Sequence, residues 1–207
     1  MSPKKEIVFI TTNENKVKEI QDLANAEAKN ITIEHLGYDY PELQLEKIES
    51  VAKESADYIR EKRAIKKPFF IEDSGLLIHA LNGFPGPFSA FVFDKIGNEG
   101  ILKLMSDKKG EERKATFKTV VAFCESAKNA PILFVGTAEG KIAEKIRGKG
   151  GFGYDPIFFV ANLNKTVAQL TAEEKNNISH RGNAIRNLQP LLRELLETAI
   201  DSGEPNH

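Results

Sequence analysis

Glu6-Ile7-Val8-Phe9-Ile10-Thr11-Thr12-Asn13-Glu14-Asn15-Lys16 carries the chain from a buried strand directly into a helix. Residues 6–10 are short, apolar and partly β-branched, which is the strand pattern. Val17, Ile20, Leu23 and Ala24 then recur at helical spacing and give the following helix its apolar stripe. Hydroxyl and amide side chains at such a junction serve as N-caps. The junction also presents N–H groups and the positive end of the helix dipole, where a phosphate is stabilised. Capping accounts for the Thr and Asn residues but poorly for Lys16, whose charge opposes the dipole of its own first turn. That mismatch favours an anion site.

Outward from this stretch, helices alternate with strands. Ile31–Leu36 reads as a second strand, followed by a carboxylate-bearing turn, Tyr38-Asp39-Tyr40-Pro41-Glu42. Leu45, Ile48, Val51, Ala52, Ala56 and Ile59 mark a long amphipathic helix with Lys53 near the edge of its stripe, and Arg60–Lys67 reads as its solvated end. Phe69-Phe70-Ile71 is a compact strand that Glu72-Asp73-Ser74-Gly75 is expected to end abruptly. Two adjacent carboxylates there are costly to bury unpaired, so a metal or a catalytic role explains them better than a turn capped by Asp. Asn82–Pro87 is a rigid loop, Ile96, Ile101, Leu102 and Met105 suggest a helix, and Asp107–Lys114 reads as an exposed loop. Thr116–Cys124, Ile132–Thr137 and Gly140–Ile146 form an antiparallel meander turning at Asn129–Pro131, and Pro156–Val160 is a further short strand. Thr171-x-x-Glu174 is a capping box opening a short helical turn that holds Lys175. Ser179 caps the last helix, whose first turn contains His180 and Arg181. The class is α/β: an elongated mixed sheet flanked by helices, in one two-lobed domain over residues 1–207 with flexible ends at about 1–6 and 201–207.

Composition narrows the partners. At 207 residues the chain can build one large domain or two lobes sharing a cleft. A formal net charge of −1 gives no support to a general nucleic-acid or membrane binder, so an anionic partner must meet a local set of cations. A single cysteine, Cys124, excludes an intramolecular disulfide and fits a reducing cytosol. No window approaches the ~18 apolar residues of a membrane span, and the apolar run after Lys4-Lys5-Glu6 is too short for a signal peptide. The expectation is a soluble, cytoplasmic protein that binds neither DNA nor RNA directly.

Gly150-Gly151-Phe152-Gly153-Tyr154-Asp155-Pro156 is the densest local signal. Glycine lets backbone approach a ligand closely, and an aromatic ring stacks on a flat heterocycle. Alone, the segment reads better as a hairpin turn with core aromatics. Together with the other polar clusters at element ends it completes a set for a nucleoside triphosphate. Lys16, Lys53 and Lys175 would hold phosphates beside the helix N-terminus. Glu42 and Asp73 would hold a hard divalent cation, Phe152 would stack on a base, and His180 and Arg181 would read its edge. Neither Gly-x-x-x-x-Gly-Lys-Ser/Thr nor a helix-opening Gly-x-Gly-x-x-Gly occurs, which disfavours P-loop and dinucleotide-binding folds.

Thr11-x-Asn13-x-x-Lys16, Glu72-Asp73-Ser74-Gly75-Leu76, Gly83-x-Pro85-Gly86, Gly151-Phe152-Gly153-Tyr154-Asp155-Pro156 and Ser179-His180-Arg181-Gly182 occur in that order. In this the chain resembles the inosine/xanthosine triphosphate pyrophosphatase family, over nearly its whole length. The resemblance implies hydrolysis of noncanonical purine triphosphates (ITP, dITP, XTP) to monophosphate and pyrophosphate with Mg2+, for which Mn2+ can substitute, in a homodimer with a cleft between two lobes. It implies that Thr11, Thr12, Asn13, Glu14, Asn15 and Lys16 bind the triphosphate, with Lys53 a further phosphate ligand. Glu42 and Asp73 are the implied metal ligands and Asp73 the general base. Ser74 contacts substrate, and Phe152, Gly153, Tyr154, Asp155, Lys175, His180 and Arg181 form the nucleoside pocket. The chain departs from many relatives at Phe88-Ser89-Ala90-Phe91, where a Tyr and often an Arg are found, and at Thr12, where Gly is common.

The implied chemistry needs an activated water at the α-phosphorus, with Asp73 or, as second choice, Glu72 taking its proton. Purines with a carbonyl at the six-position suit an N–H donor such as Arg181 or His180, whereas adenine's amino group does not. Asp155 either fixes its loop or touches the base edge. Two other readings stand beside this one: a pyrophosphatase of similar fold for modified pyrimidine nucleotides, and a nucleotide sensor without catalysis, which the carboxylates Glu42 and Asp73 disfavour.

Overall fold

The computed structural model describes residues 5–27, 31–41, 43–62 and 65–201. The alternation begins with β1 (Lys5–Ile10), α1 (Glu14–Glu27) and β2 (Ile31–Leu36), the two strands pairing in parallel. After α2 (Ile48–Lys62), β3 (Phe69–Ile78) lies parallel to the other side of β1. α3 (Ser89–Leu104) precedes the antiparallel β4 (Lys114–Cys124) and β5 (Ile132–Ile142). The short β6 (Phe158–Val160) and β7 (Lys165–Thr166) extend the far edge, and α4 (Ala172–Ile178) and α5 (His180–Asp201) follow. The sheet order β2-β1-β3-β4-β5-β6-β7 puts the parallel pairs at one end and the meander at the other, a mixed sheet as expected.

Alternation along the central strands β3 and β4 explains the lobes. On one face, Phe70 of β3 and Val121 and Phe123 of β4 join Ile7 and Phe9 under the stripes of α1 and α5. Phe9 and Phe70 stack there at 4.7 Å between centroids. Farther along the same face, Leu76 and Ile78 of β3 and Ala115 and Phe117 of β4 enter a second core with α3, Tyr154, Ile157 and Phe158. Between the two cores that face carries polar residues only: Glu72 and Ser74 on β3, and Thr119, which the register places opposite Ser74. Polar side chains cannot continue an apolar core, so the two cores separate and a cleft opens above this gap. On the opposite face Phe69, Ile71, Val120, Ala122 and Cys124 pack continuously against Ile48, Ala52, Ala56 and Ile59 of α2. Cys124 is thus a core residue.

β3 does not stop at Ile71. It runs through Glu72–Gly75 to Ile78 because every residue pairs with β4, from Phe69↔Cys124 to Ile78↔Ala115. An unbroken antiparallel ladder overrides the weak strand preference of Asp and Gly. Ile132–Thr137 and Gly140–Ile146 likewise merge into one strand that ends at Ile142, since Ala138 and Glu139 continue the pairing with Phe117 and Thr116. The segment Asp107–Lys114 is not wholly exposed. Arg113 is buried and donates to the carbonyls of Met105, Lys108, Ile142 and Ala143, tying the segment to the end of β5. Of the ends read as flexible, Lys5 and Glu6 belong to β1 and Asp201 to α5, while 1–4 and 202–207 lie outside the described residues.

Candidate active site

β1 pairs with β3 only at Val8↔Phe69 and Phe9↔Phe70. Beyond that, β1 turns off into Thr11, and the β3 segment Glu72–Gly75 borders a cavity of ≈ 590 Å3. Its walls include Thr11, Thr12, Asn13, Asn15 and Lys16 on one side and Phe152–Asp155, Lys175, His180 and Arg181 on the other, with Asp73 and Ser74 between. Four of the five separated sequence motifs therefore contribute to one concavity, and Gly83-x-Pro85-Gly86 stands outside its wall.

The Thr11–Lys16 turn is held from inside. The Asn13 side-chain oxygen accepts the N–H groups of Asn15 (3.0 Å) and Lys16 (3.3 Å), so Asn13 is the N-cap of α1. The Thr11 hydroxyl accepts from the Asn13 N–H at 3.1 Å. β2 fixes Thr11 itself: the Leu36 carbonyl accepts its N–H (3.2 Å), and the His35 Nε2–H donates to its carbonyl (2.9 Å). Glu14, on this turn, is exposed and outside the cavity wall.

From Lys16 an unbroken chain of alternating charges crosses the cleft. Lys16 Nζ lies 3.0 Å from the Glu72 carboxylate and 3.2 Å from the Glu72 carbonyl. Glu72 accepts from Arg181 (3.0 Å to Nη2), Arg181 and Lys175 both pair with Glu19, and Lys175 reaches Asp155 at 2.7 Å. Asp155 ends the chain by accepting the Phe152 N–H at 3.0 Å. Three cations meet three carboxylates, so the base side of the cleft is close to neutral although it holds Arg181 and Lys175. Burial pushes the Glu72 carboxyl up, but Arg181, Lys16 and the Ser74 hydroxyl outweigh it and hold the group well below the carboxylate range. Glu72 is thus a fixed anion, already saturated by Lys16, Arg181 and Ser74, and unsuited to take a proton. Asp73, next along the strand, points to the other side of the sheet by simple alternation. It is half-buried and borders the cavity. Of the two neighbours, Asp73 is therefore the candidate proton acceptor.

The wall opposite is shaped by Asp155, which fixes its own loop. A Cβ on Gly151 would lie 2.0 Å from the Asp155 carboxylate, so that position, with φ of +70°, admits only glycine. Burial pushes the Asp155 carboxyl above its ordinary range, with Lys175 opposing. The Phe152 ring lies 5.1 Å from Lys175 Nζ and 5.8 Å from the Arg181 guanidinium. Lys175, counted from the sequence among the phosphate ligands, therefore stands at the aromatic end of the cleft. Tyr154 is buried and donates to the Ser89 carbonyl at 2.9 Å. His180 stacks on Phe117 at 4.7 Å and 17°. Burial, then the nearby Arg181 charge, push its imidazole well below the usual histidine range, so it is neutral at pH 7.

Lys53 is not brought to the cleft. It sits on the exposed face of α2, 2.6 Å from Asp57 and outside the cavity wall, because the buried stripe of α2 falls on Ile48, Ala52, Ser55, Ala56 and Ile59. Glu42 lies outside the described residues. The sequence reading missed Glu19 and Thr119. Glu19 follows Lys16 by three residues on α1, the spacing that puts two side chains on one helical face, but only the fold brings Lys175 and Arg181 to it. Thr119 is fixed by register, 2.7 Å from the Ser74 hydroxyl.

Among the described residues no three His, Cys, Asp or Glu side chains gather into a metal cage. That donor set still fits a hard divalent ion of the Mg2+ type, which binds one or two carboxylates and completes its shell with water and substrate phosphate. Asp73 and Asp39 are cavity carboxylates outside the chain of ion pairs described above.

The sequence profile of the Ham1 family matches residues 7–191. The dITP/XTP pyrophosphatase of Methanosarcina mazei is 46% identical over 183 residues, 87% of this chain and 94% of the relative. That of Thermococcus kodakarensis is 42% identical and covers 92% of this chain and 99% of its own. Among solved structures, a HAM1 protein from Coxiella burnetii superposes with a TM-score of 0.78 at 34% identity, over 92% of this chain and 99% of that one. The Ham1 protein of Staphylococcus aureus gives 0.74 at 33%, with the same coverage. Sequence motifs, mixed sheet and cleft agree with these likenesses, and the chain belongs to the Ham1 family.

Proposed function

We propose that this protein hydrolyses noncanonical purine nucleoside triphosphates (dITP, ITP and XTP) to the monophosphate and pyrophosphate, and so clears deaminated purines from the nucleotide pool of the cytoplasm. The observation that carries the reading is the placement of Asp73 on the open edge of β3, between the Thr11–Lys16 turn and the Phe152–His180 wall of one cavity. A triphosphate lies along the turn, where α1's N-terminus and Lys16 meet its charge. The base lies against Phe152. The scissile α-phosphorus then falls near Asp73. Names of relatives at 40–47% identity support the substrate class.

Asp73 takes the proton of the attacking water as the new phosphorus–oxygen bond forms and the bond to pyrophosphate breaks. Lys16 has three N–H donors, two of them directed at Glu72, and the third serves the leaving pyrophosphate. Asp73 with Glu42 would hold Mg2+, or Mn2+ in its place, which would supply charge neutralisation at the phosphates and a more acidic water. On the base side, neutral His180 offers one N–H and one bare nitrogen. Because the carboxylates already balance Arg181 and Lys175, the pocket suits an uncharged ring better than a second phosphate. The assembly is a homodimer.

The experiment measures pyrophosphate release from a panel of nucleoside triphosphates with Mg2+, for the protein and for Asp73→Asn. Prompt turnover of dITP, ITP and XTP, slow turnover of ATP and GTP, and a loss of about 10²–10⁴-fold in the variant are expected. Turnover of modified pyrimidine nucleotides without ITP overturns the substrate class, and nucleotide binding without turnover overturns catalysis.

A further inference from the structure

The Phe152 wall is fastened from outside the site, and the fastening residue is Asn98. α3 is not one helix: Gly97, at φ 58° and ψ −163°, breaks it, and Asn98 is the first residue after the break. An asparagine at that position ordinarily caps the new helix, its side-chain oxygen accepting an N–H two or three residues on. Here it does not. The Asn98 side-chain oxygen is buried and makes no hydrogen bond among the described residues, while the amide nitrogen donates to the Gly153 carbonyl, 3.1 Å away and 55 residues along the chain. The side chain has forgone its own helix in favour of the turn that carries Phe152.

The rest of the turn's attachments explain why one more is needed. Asp155 holds the Phe152 N–H, and Tyr154 is held by the Ser89 carbonyl and by an edge contact with Phe93, 5.2 Å between centroids. Gly153 lies between these anchors at φ +60°, with open space where a Cβ would be. Glycine is the most permissive residue in the backbone, so without a partner for its carbonyl the peptide between Gly153 and Tyr154 can rotate and loosen the turn that carries Phe152. Among the described residues Phe152 otherwise rests on Asp155 alone, through its side chain and through its N–H to the Phe152 carbonyl at 3.3 Å. Asn98 does not border the cavity itself.

We infer that Asn98 is a positioning residue for purine recognition: through the Gly153 carbonyl it fixes the pitch of the Phe152 ring, and so sets the affinity for the base without touching substrate. The inference rests on the purine reading of the cleft given above.

Asn98→Asp and Asn98→Ala separate this role from a helical one. Aspartate keeps the shape, caps a helix as well as asparagine does, and cannot donate to a carbonyl. Titration calorimetry with IMP reads the base end of the cleft, and inorganic tripolyphosphate reads the phosphate end. Both variants are expected to bind IMP about tenfold more weakly and tripolyphosphate unchanged, the loss corresponding to one hydrogen bond. For turnover of ITP, KM rises and kcat holds. Unchanged IMP affinity in Asn98→Asp overturns the inference, and so does a parallel loss of both ligands, which would mark a role in the fold. If the unsubstituted protein binds tripolyphosphate but not IMP, the purine reading itself fails, and this inference with it.

Discussion

Two neighbouring residues with the same chemistry end in opposite circumstances. Glu72 and Asp73 are adjacent carboxylates, and strand alternation sends one toward Lys16 and Arg181 and leaves the other at the cavity. The identity of both as candidates was legible in the sequence; the division of labour was not, because it follows from β3 running on as a strand. His180 gives a prediction at this scale. Its folded-state imidazole titrates well below the ordinary 6.5, because it is buried and faces Arg181, with Lys175 and Lys16 adding and Glu72 opposing. The unfolded chain therefore binds a proton at higher pH than the folded one. The stabilisation is complete above pH 6.5 and is lost as the pH falls from there toward the lower folded value. Chemical denaturation between pH 7.5 and 5 should show a slope from this group of up to about 1.4 kcal/mol per pH unit. His180→Gln should flatten that slope, and an identical slope in the variant would show that His180 titrates normally.

Among the elements, α5 matters for where it begins. Its first residues, His180 and Arg181, supply part of one wall of the site, and they reach the sheet only because β5 has a glycine at the crossing. A Cβ on Gly136 would lie 2.1 Å from the His180 carbonyl and 2.2 Å from the Ala184 nitrogen. Backbone on both sides leaves nothing soft to give way. Gly136→Ala should push the start of α5 off the sheet, costing about 1–3 kcal/mol in urea denaturation. It should also raise KM for ITP, since His180 and Arg181 move with the helix. A stability loss with unchanged KM would show that the strain is relieved in β5 instead. The Ser179 start of α5 was readable from a residue that caps. The need for a bare backbone at Gly136 was not, because nothing local distinguishes a glycine under a helix from one in a turn. Boundaries failed for a similar reason: Glu72–Gly75 and Ala138–Glu139 look like interruptions until a partner strand pairs with them.

In the whole molecule, two apolar cores share one face of the sheet, and the cavity wraps the edge of β3 from the polar gap between them to Asp73 and Ile71 on the other face. No helix is long and apolar enough to cross a membrane among the described residues. Exposed apolar side chains instead cluster along one segment: Phe84, Phe88, Phe91, Phe93 and Ile96, with Phe91 59% exposed. Phe88, Phe91 and Phe93 also line the cavity, and the run as a whole is more than scattered surface residues require and fits the proposed homodimer. Sedimentation velocity should give about twice the 23.0 kDa of one chain, and a species at the single-chain mass across micromolar concentrations would overturn the dimer. By itself the sequence determined the α/β class, the order of the elements and nearly all the residue types of the site. Those are written in local periodicity, capping patterns and motifs of a few residues. Only the tertiary structure decided that Glu72 is locked between Lys16 and Arg181, that Lys175 and Arg181 stand beside Phe152, that Lys53 lies outside the cavity wall, that Glu19 pairs with both Lys175 and Arg181, and that Asn98 reaches the Gly153 carbonyl. Lys16 with Glu72, Arg181 with Glu72, Lys175 with Glu19 and Asn98 with Gly153 are partners 55 or more residues apart, brought together by strand register and by helices crossing the sheet, and short-range sequence patterns carry no record of such distances.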